Sequence, residues 1–63
     1  MHSQEASLAS LATQLQELTE RAAAIGEQLN ETPTEDVAAT LFEVERGLRS
    51  ASRALERARR QLQ

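Results

Sequence analysis

The feature that most constrains the fold is a heptad pattern of apolar residues that a proline-containing segment interrupts once. Before the interruption, apolar residues recur in steps of three and four at Leu8, Leu11, Leu15, Leu18, Ala22, Ile25 and Leu29. After it, the same steps return at Val37, Leu41, Val44, Leu48, Ala51, Leu55, Ala58 and Leu62. Such steps place side chains on one face of an α-helix, whereas strands alternate with period two. The pattern therefore predicts an all-α chain of two long helices.

The interrupting segment "LNETPTED" contains signals that end one helix and start the next. Asn30 is a residue type that often ends a helix in the left-handed conformation. Thr32, Pro33 and Glu35 match an N-cap, a first helical residue and the third position of a capping box. A connection this short makes the helices antiparallel. Within a single domain over 1–63, the predicted first helix, turn and second helix span about 4–29, 30–32 and 33–61.

A single two-helix hairpin is too small to stabilise itself through one narrow seam. Chains of this length bury little apolar surface, and the absence of cysteine excludes a disulfide. We expect a coiled-coil-like hairpin that dimerises into a four-helix bundle. The candidate residues for the dimer or partner seam are Leu8, Leu11, Leu15, Leu18, Ile25, Leu29, Val37, Leu41, Val44, Leu48, Leu55 and Leu62.

Two glycines fall inside the predicted helices, where each costs about 1 kcal/mol relative to alanine. Gly26 and Gly47 flank the seam rather than the outer face. A hinge is one interpretation. We favour the other, that these positions let a neighbouring helix approach closely.

Charge is distributed unevenly along the chain. Residues 1–45 hold nine acidic side chains against Arg21, whereas residues 46–63 hold six arginines against Glu56. Five of these arginines and the single aromatic residue form a stripe almost opposite the seam, with Arg59 at the seam's flank. The candidate docking stripe consists of Phe42, Arg46, Arg49, Arg53, Arg57 and Arg60.

Two interpretations of this stripe stay open. It is either the solvated back of a helix, with Glu45–Arg49 and Glu56–Arg60 paired at i,i+4, or a docking surface. Phe42, which lies on the stripe and away from the seam, could cover Arg46 or anchor a partner. If the stripe binds something, an acidic protein surface is favoured over nucleic acid, because the acidic remainder of the chain repels a polyanion.

No pattern of catalytic or metal-ligating residues is present. There is no cysteine, the single histidine is His2, and Glu43 and Glu45 are two residues apart and point to different helix faces. We therefore expect no enzymatic activity, no cofactor and no metal. No stretch approaches the roughly 20 apolar residues of a membrane span, and no secretory signal is apparent. A soluble cytoplasmic protein without membrane contact is expected, and the lack of lysine favours a GC-rich bacterial source.

The expected function is a small protein–protein interaction or regulatory module, a homodimer that docks an acidic or helical protein. One alternative is a monomeric hairpin that the helices of a larger partner complete, as in a regulator or adaptor. The predicted shape also resembles the plasmid Rop repressors, which are small helical hairpins that dimerise into four-helix bundles and bind RNA. That resemblance is one of shape, shares no sequence motif, and implies a nucleic-acid binder that uses the arginine stripe.

Overall fold

The computed structural model describes residues 3–62, with side chains from residue 4, and consists of two helices. Helix α1 spans Ser3–Leu29 and helix α2 spans Glu35–Leu62. No strand occurs between residues 3 and 62. The helices pack against each other as a hairpin whose Cα atoms extend over 52 × 14 × 9 Å. The prediction of an all-α hairpin is confirmed.

The line along which the helices pack lies to one side of the predicted seam. Its buried and half-buried residues on α1 include Leu8, Ala12, Leu15, Thr19, Ala22, Gly26 and Leu29. On α2 they include Ala38, Leu41, Glu45, Leu48, Ser52, Leu55, Arg59 and Leu62. Each helix thus combines one row of the predicted seam with a neighbouring row of small or polar residues. Small side chains in that second row let the two backbones come close.

The other row of the predicted seam is left in solvent. Its five large side chains are 43% to 49% exposed, and we call them the apolar face: Leu11, Leu18, Ile25, Val37 and Val44. Ala51 is also exposed. The hairpin itself therefore covers only one row of the predicted seam on each helix. Each helix carries an apolar stripe wider than a single neighbouring helix can cover.

Little of the described chain is buried. Among the apolar side chains, only Ala22, Ala38 and Leu55 fall below a tenth of their full exposure. Two of these are alanines, and no large side chain between residues 4 and 62 is completely buried. The hairpin is therefore two helices in contact along a line rather than a domain with a core.

The turn differs from the expectation in two details. Glu31, not Asn30, adopts the left-handed conformation, with φ of 63°. The N–H of Asn30 still donates to the carbonyl of Gly26 at 3.0 Å, as in a continuing helix. Helix α2 begins at Glu35, two residues later than predicted.

The later start of α2 follows from the hydrogen bonds of two threonines. The hydroxyl of Thr32 accepts from the N–H of Thr34 at 3.1 Å and donates to the carbonyl of Leu29. The carbonyl of Thr34 accepts the first helical bond, from the N–H of Ala38 at 3.2 Å. Thr34 thus takes the N-cap position expected of Thr32, while Thr32 ties the end of α1 to the start of α2.

Candidate interaction surfaces

The apolar face forms a shallow groove that runs along both helices. At its centre, a groove of about 300 Å³ is lined by Leu18, Arg21, Ala22, Ile25, Val44 and Leu48. Leu11 lies one heptad beyond Leu18, and Val37 lies one heptad before Val44. Residues seven apart return to nearly the same side of a helix. The face therefore continues over most of the hairpin's length.

The residues that border the apolar face carry almost no charge. These are the exposed residues three or four positions from its members: Ser7, Gln14, Arg21, Gln28, Pro33, Thr34, Thr40 and Gly47. Only one of the eight is charged, in a chain with 27% charged residues. Depletion of charge around a contiguous set of large apolar side chains is typical of the centre of a protein interface. A surface meant for water alone would not need it.

On the opposite side, the two helices form a polar groove of about 720 Å³. Its lining comes from both helices and consists of Ala9, Ala12, Thr13, Gln16, Thr19, Glu20, Arg49, Ser52, Arg53, Glu56 and Arg59. Threonines here satisfy their hydroxyls locally, and Thr19 donates to the carbonyl of Leu15 at 2.7 Å. This side can interact with water without a partner.

In the structure, the arginines of the candidate docking stripe lie in two environments: some line the polar groove and others are exposed without an ion pair among the described residues. Arg49 pairs with Glu45 as predicted, and Arg53 joins it in lining the polar groove. Glu56 pairs with Arg59 at 3.0 Å rather than with Arg60. The Glu56–Arg59 pair is solvent-exposed and contributes only a few tenths of a kcal/mol, whereas in the other pair the side chain of Glu45 is only 15% exposed.

Four arginines of the stripe remain exposed with no ion pair among the described residues: Arg46, Arg53, Arg57 and Arg60. They are the positions where the stripe presents free guanidinium groups. Whether they bind a partner stays a prediction.

Phe42 occupies a different place from the one expected. It is half-buried, and a Cβ atom added to Gly26 would lie 2.7 Å from Cε1 of its ring. The ring therefore lies directly on the backbone of α1, where glycine leaves room for it. The expectation that Phe42 points away from the contact between the helices is wrong, because the contact line is displaced towards its row. The sequence contains a signal for this contact, because the single aromatic residue, Phe42, is matched by a glycine, Gly26, inside the other helix.

Between residues 3 and 62, no three His, Cys, Asp or Glu side chains come together where they could hold a metal ion. His2 lies outside the described residues. Neither of the two helices is long and apolar enough to cross a membrane over that same span.

Comparison of the chain with protein-family models, curated proteins and solved structures gives no match.

Proposed function

We propose that the protein is a small, non-catalytic protein–protein interaction module that acts as a homodimer of hairpins. The observation that carries this proposal is the apolar face. Five large side chains lie together at 43% to 49% exposure, and the residues around them are nearly uncharged. Contiguous apolar surface of this kind on a small protein marks an interaction site.

The energetic reason for a dimer is the lack of a core. Ordering a chain costs roughly 1.5 kcal/mol per residue, and burial of apolar surface must offset that cost. Among the apolar side chains of the described residues, only Ala22, Ala38 and Leu55 are buried. A second hairpin on the apolar face would bury a further row of leucine, isoleucine and valine from each copy. The result would be a four-helix bundle, the usual arrangement for helices with wide apolar stripes.

The surfaces left outside such a dimer suit an acidic or helical protein partner. The polar groove and the free guanidinium groups of Arg46, Arg57 and Arg60 lie away from the apolar face. Exposed cations of this kind steer an acidic surface towards the protein. The acidic side chains of residues 20–45 make a long polyanion such as RNA a poorer fit.

The apolar face favours one other candidate, a monomeric hairpin completed by the helices of a larger partner. Such a regulator or adaptor would use the same five side chains against foreign helices. The two candidates differ in the mass of the pure protein and in how its melting depends on concentration.

Leu18→Ala tests the proposal, with Glu17→Ala as the matched control on the exposed side of the same helix. The wild-type protein should sediment at twice its 7.0 kDa mass and melt at a temperature that rises with concentration. Leu18→Ala should lower stability by about 2–5 kcal/mol, because Leu18 is buried in the dimer. Glu17→Ala should change it by less than about 0.5 kcal/mol. A monomeric mass and a concentration-independent melting temperature would contradict the homodimer.

A further inference from the structure

We propose that the second copy lies on the apolar face with its turn at the opposite end of the bundle. Helix α1 then packs against α1 of the second copy, and α2 packs against α2, both antiparallel. The two α2 helices approach each other most closely near Ala51, with Gly47 of each copy beside Ala54 of the other. The inference rests on the proposed homodimer and specifies its geometry.

The charge along the hairpin favours this orientation. Around the turn, residues 25–43 carry five carboxylates and no basic side chain: Glu27, Glu31, Glu35, Asp36 and Glu43. At the far end of the hairpin, residues 4–11 and 57–62 carry Arg57, Arg59 and Arg60 against Glu5. Two copies with their turns at the same end would place five carboxylates beside five. With their turns at opposite ends, the acidic end of each copy lies beside the basic end of the other.

The apolar face of α1 is symmetric about its midpoint. Leu11 and Ile25 each lie one heptad from Leu18, on either side of it. A two-fold axis that crosses the helices at Leu18 would bring that residue against itself and Leu11 against Ile25. A symmetric dimer needs such a self-complementary patch.

Small residues of α2 lie at the same level of the hairpin as the midpoint of the α1 face. Gly26 and Phe42 are in contact, and eight residues farther from the turn along each helix lie Leu18 and Ser50. On α2, Gly47 and Ala54 are placed evenly about that level, with Ala51 next to it. One two-fold axis therefore serves both helices, and the small residues of α2 fall where the second α2 would cross.

Gly47 has no role within the hairpin. Apart from its chain neighbours and the nearby backbone of its own helix, no atom lies within 4 Å of a Cβ atom built at Gly47, in contrast to Gly26, which makes room for Phe42. A glycine in a helix interior is destabilising relative to alanine. The open space at Gly47, with exposed Ala51 and Ala54 beside it, fits the close approach of a second helix.

The available area is sufficient for a stable dimer. Each helix is about 40 Å long and two helices are about 20 Å wide, so the face covers about 800 Å², the area that a standard interface buries on each partner. The second copy is the occupant that matches this face in length, charge and symmetry together.

Disulfide crosslinking tests the orientation, since the natural chain has no cysteine. Ala51→Cys lies next to the proposed axis and should give a covalent dimer on mild oxidation, because a disulfide needs Cα atoms within about 7 Å. Arg57→Cys on the outer side of α2 is the control and should stay uncrosslinked. A mixture of Leu11→Cys and Ile25→Cys proteins should form the mixed dimer, and a mixture of Ile25→Cys and Val44→Cys proteins should not.

These experiments distinguish failure of the proposed orientation from failure of the proposed homodimer. A wild-type protein that is monomeric by sedimentation contradicts the homodimer itself. A dimeric protein in which Ile25→Cys crosslinks to Val44→Cys, while Ala51→Cys does not crosslink to itself, has its turns at the same end and overturns only the orientation.

A second measurement uses Gly47→Leu. Leucine has open space there in the single hairpin and favours helix, so helical content should be kept. The dimer dissociation constant should rise at least tenfold, because the two α2 helices can no longer approach. Added salt should also weaken the wild-type dimer by screening the opposed ends. An unchanged or lower dissociation constant for Gly47→Leu would overturn the close contact of the α2 helices.

Discussion

The two long sides of this hairpin are built from the same pair of helices and differ in what they still require. The polar groove carries its own ion pair between Glu56 and Arg59 and satisfies the hydroxyl of Thr19 on the carbonyl of Leu15. The apolar face offers large side chains that nothing in the hairpin covers, with Arg21 as its one charged neighbour. One side is complete in water, and the other leaves large apolar side chains exposed.

The difference arises from a displacement of about one residue in the line of contact. Each helix has two apolar rows, and the hairpin uses one of them together with the small residues on its polar side. Ala12, Gly26 and Ala38 allow that approach, and the displaced line leaves Leu18 and Val44 on the outside. An apolar stripe too wide for one neighbour thereby becomes a surface for a second neighbour.

The largest expected effect on stability comes from truncating the one large side chain that is buried among the described residues. Leu55 is 9% exposed and is the only large buried side chain in the described chain. Leu55→Ala should lower the free energy of unfolding by about 2–5 kcal/mol. For a chain this small that loss removes most of the helical circular dichroism signal at 25 °C. Arg57→Ala on the outer side of the same helix is the control, with a change below about 0.5 kcal/mol.

Leu55 lies on the line along which the two helices pack, which we call the inner line, and Leu18 lies on the apolar face. Their alanine variants therefore compare these two surfaces directly. The loss from Leu18→Ala should disappear once the protein is diluted until it is monomeric, because Leu18 is then exposed. The loss from Leu55→Ala should persist in whatever folded hairpin remains on dilution, because Leu55 is buried within the hairpin itself. If both losses vanish on dilution, the hairpin has no stability of its own and the two surfaces form as one unit.

The next effect tests the one aromatic residue on the inner line. Gly26→Ala places a Cβ atom 2.7 Å from the ring of Phe42, and overpacking of this kind costs typically about 1–3 kcal/mol. In a Phe42→Ala background the ring is gone, and alanine should instead stabilise α1 by up to about 1 kcal/mol. A double-mutant cycle by thermal melting should therefore show a coupling of about 2 kcal/mol. Additive changes would mean that the ring does not lie on Gly26.

Sequence reasoning was sufficient for the hairpin and insufficient for its details. The heptad steps predict two helices, and the proline segment predicts the turn, because periodicity and backbone chemistry are local properties. Which of two adjacent apolar rows faces the other helix is decided by packing. Leu11 and Leu15 look equivalent in sequence, yet only Leu15 is partly buried between the helices.

The placement of single side chains needed the structure for the same reason. The heptad pattern places Val44 in the contact between the helices and therefore Phe42 outside it. In the structure Glu45 lies on the contact line and Val44 is exposed, so Phe42 comes close to helix α1. Glu31 adopts a left-handed conformation that its residue type does not favour, so Asn30 was the reasonable expectation. The candidate interface followed from the sequence as a set of residues, but its division into an inner line and an apolar face did not.

A smaller effect concerns the turn that holds the two helices in this register. The Thr32 hydroxyl bonds to the N–H of Thr34 and to the carbonyl of Leu29. Thr32→Ala should cost about 1 kcal/mol. Thr13→Ala is the matched control, because its hydroxyl bonds only to the carbonyl of Ala9 on the exposed side of α1. Equal changes in melting temperature for the two variants would mean that the hydroxyl of Thr32 does not tie the helices together.

The substitution with the smallest expected effect on stability tests whether the exposed arginines bind an acidic protein partner. Arg57 is exposed and has no ion pair among the described residues, so Arg57→Glu should change the free energy of unfolding by less than about 0.5 kcal/mol. If the free arginines dock an acidic protein, the reversal of charge should weaken retention of an acidic helical peptide on the immobilised dimer by several-fold. Raising the salt concentration should weaken wild-type retention in the same direction, because exposed charges are screened within about 10 Å at 0.1 M.

The control for that measurement is Arg49→Glu, at an arginine already paired with Glu45 on the same stripe. The loss of that pair should cost some stability, whereas the loss of Arg57 should cost only binding. If Arg57→Glu retains the acidic peptide as well as the wild type does, the exposed arginines are the solvated side of a helix. The apolar face would then be the only surface of the hairpin that needs a partner.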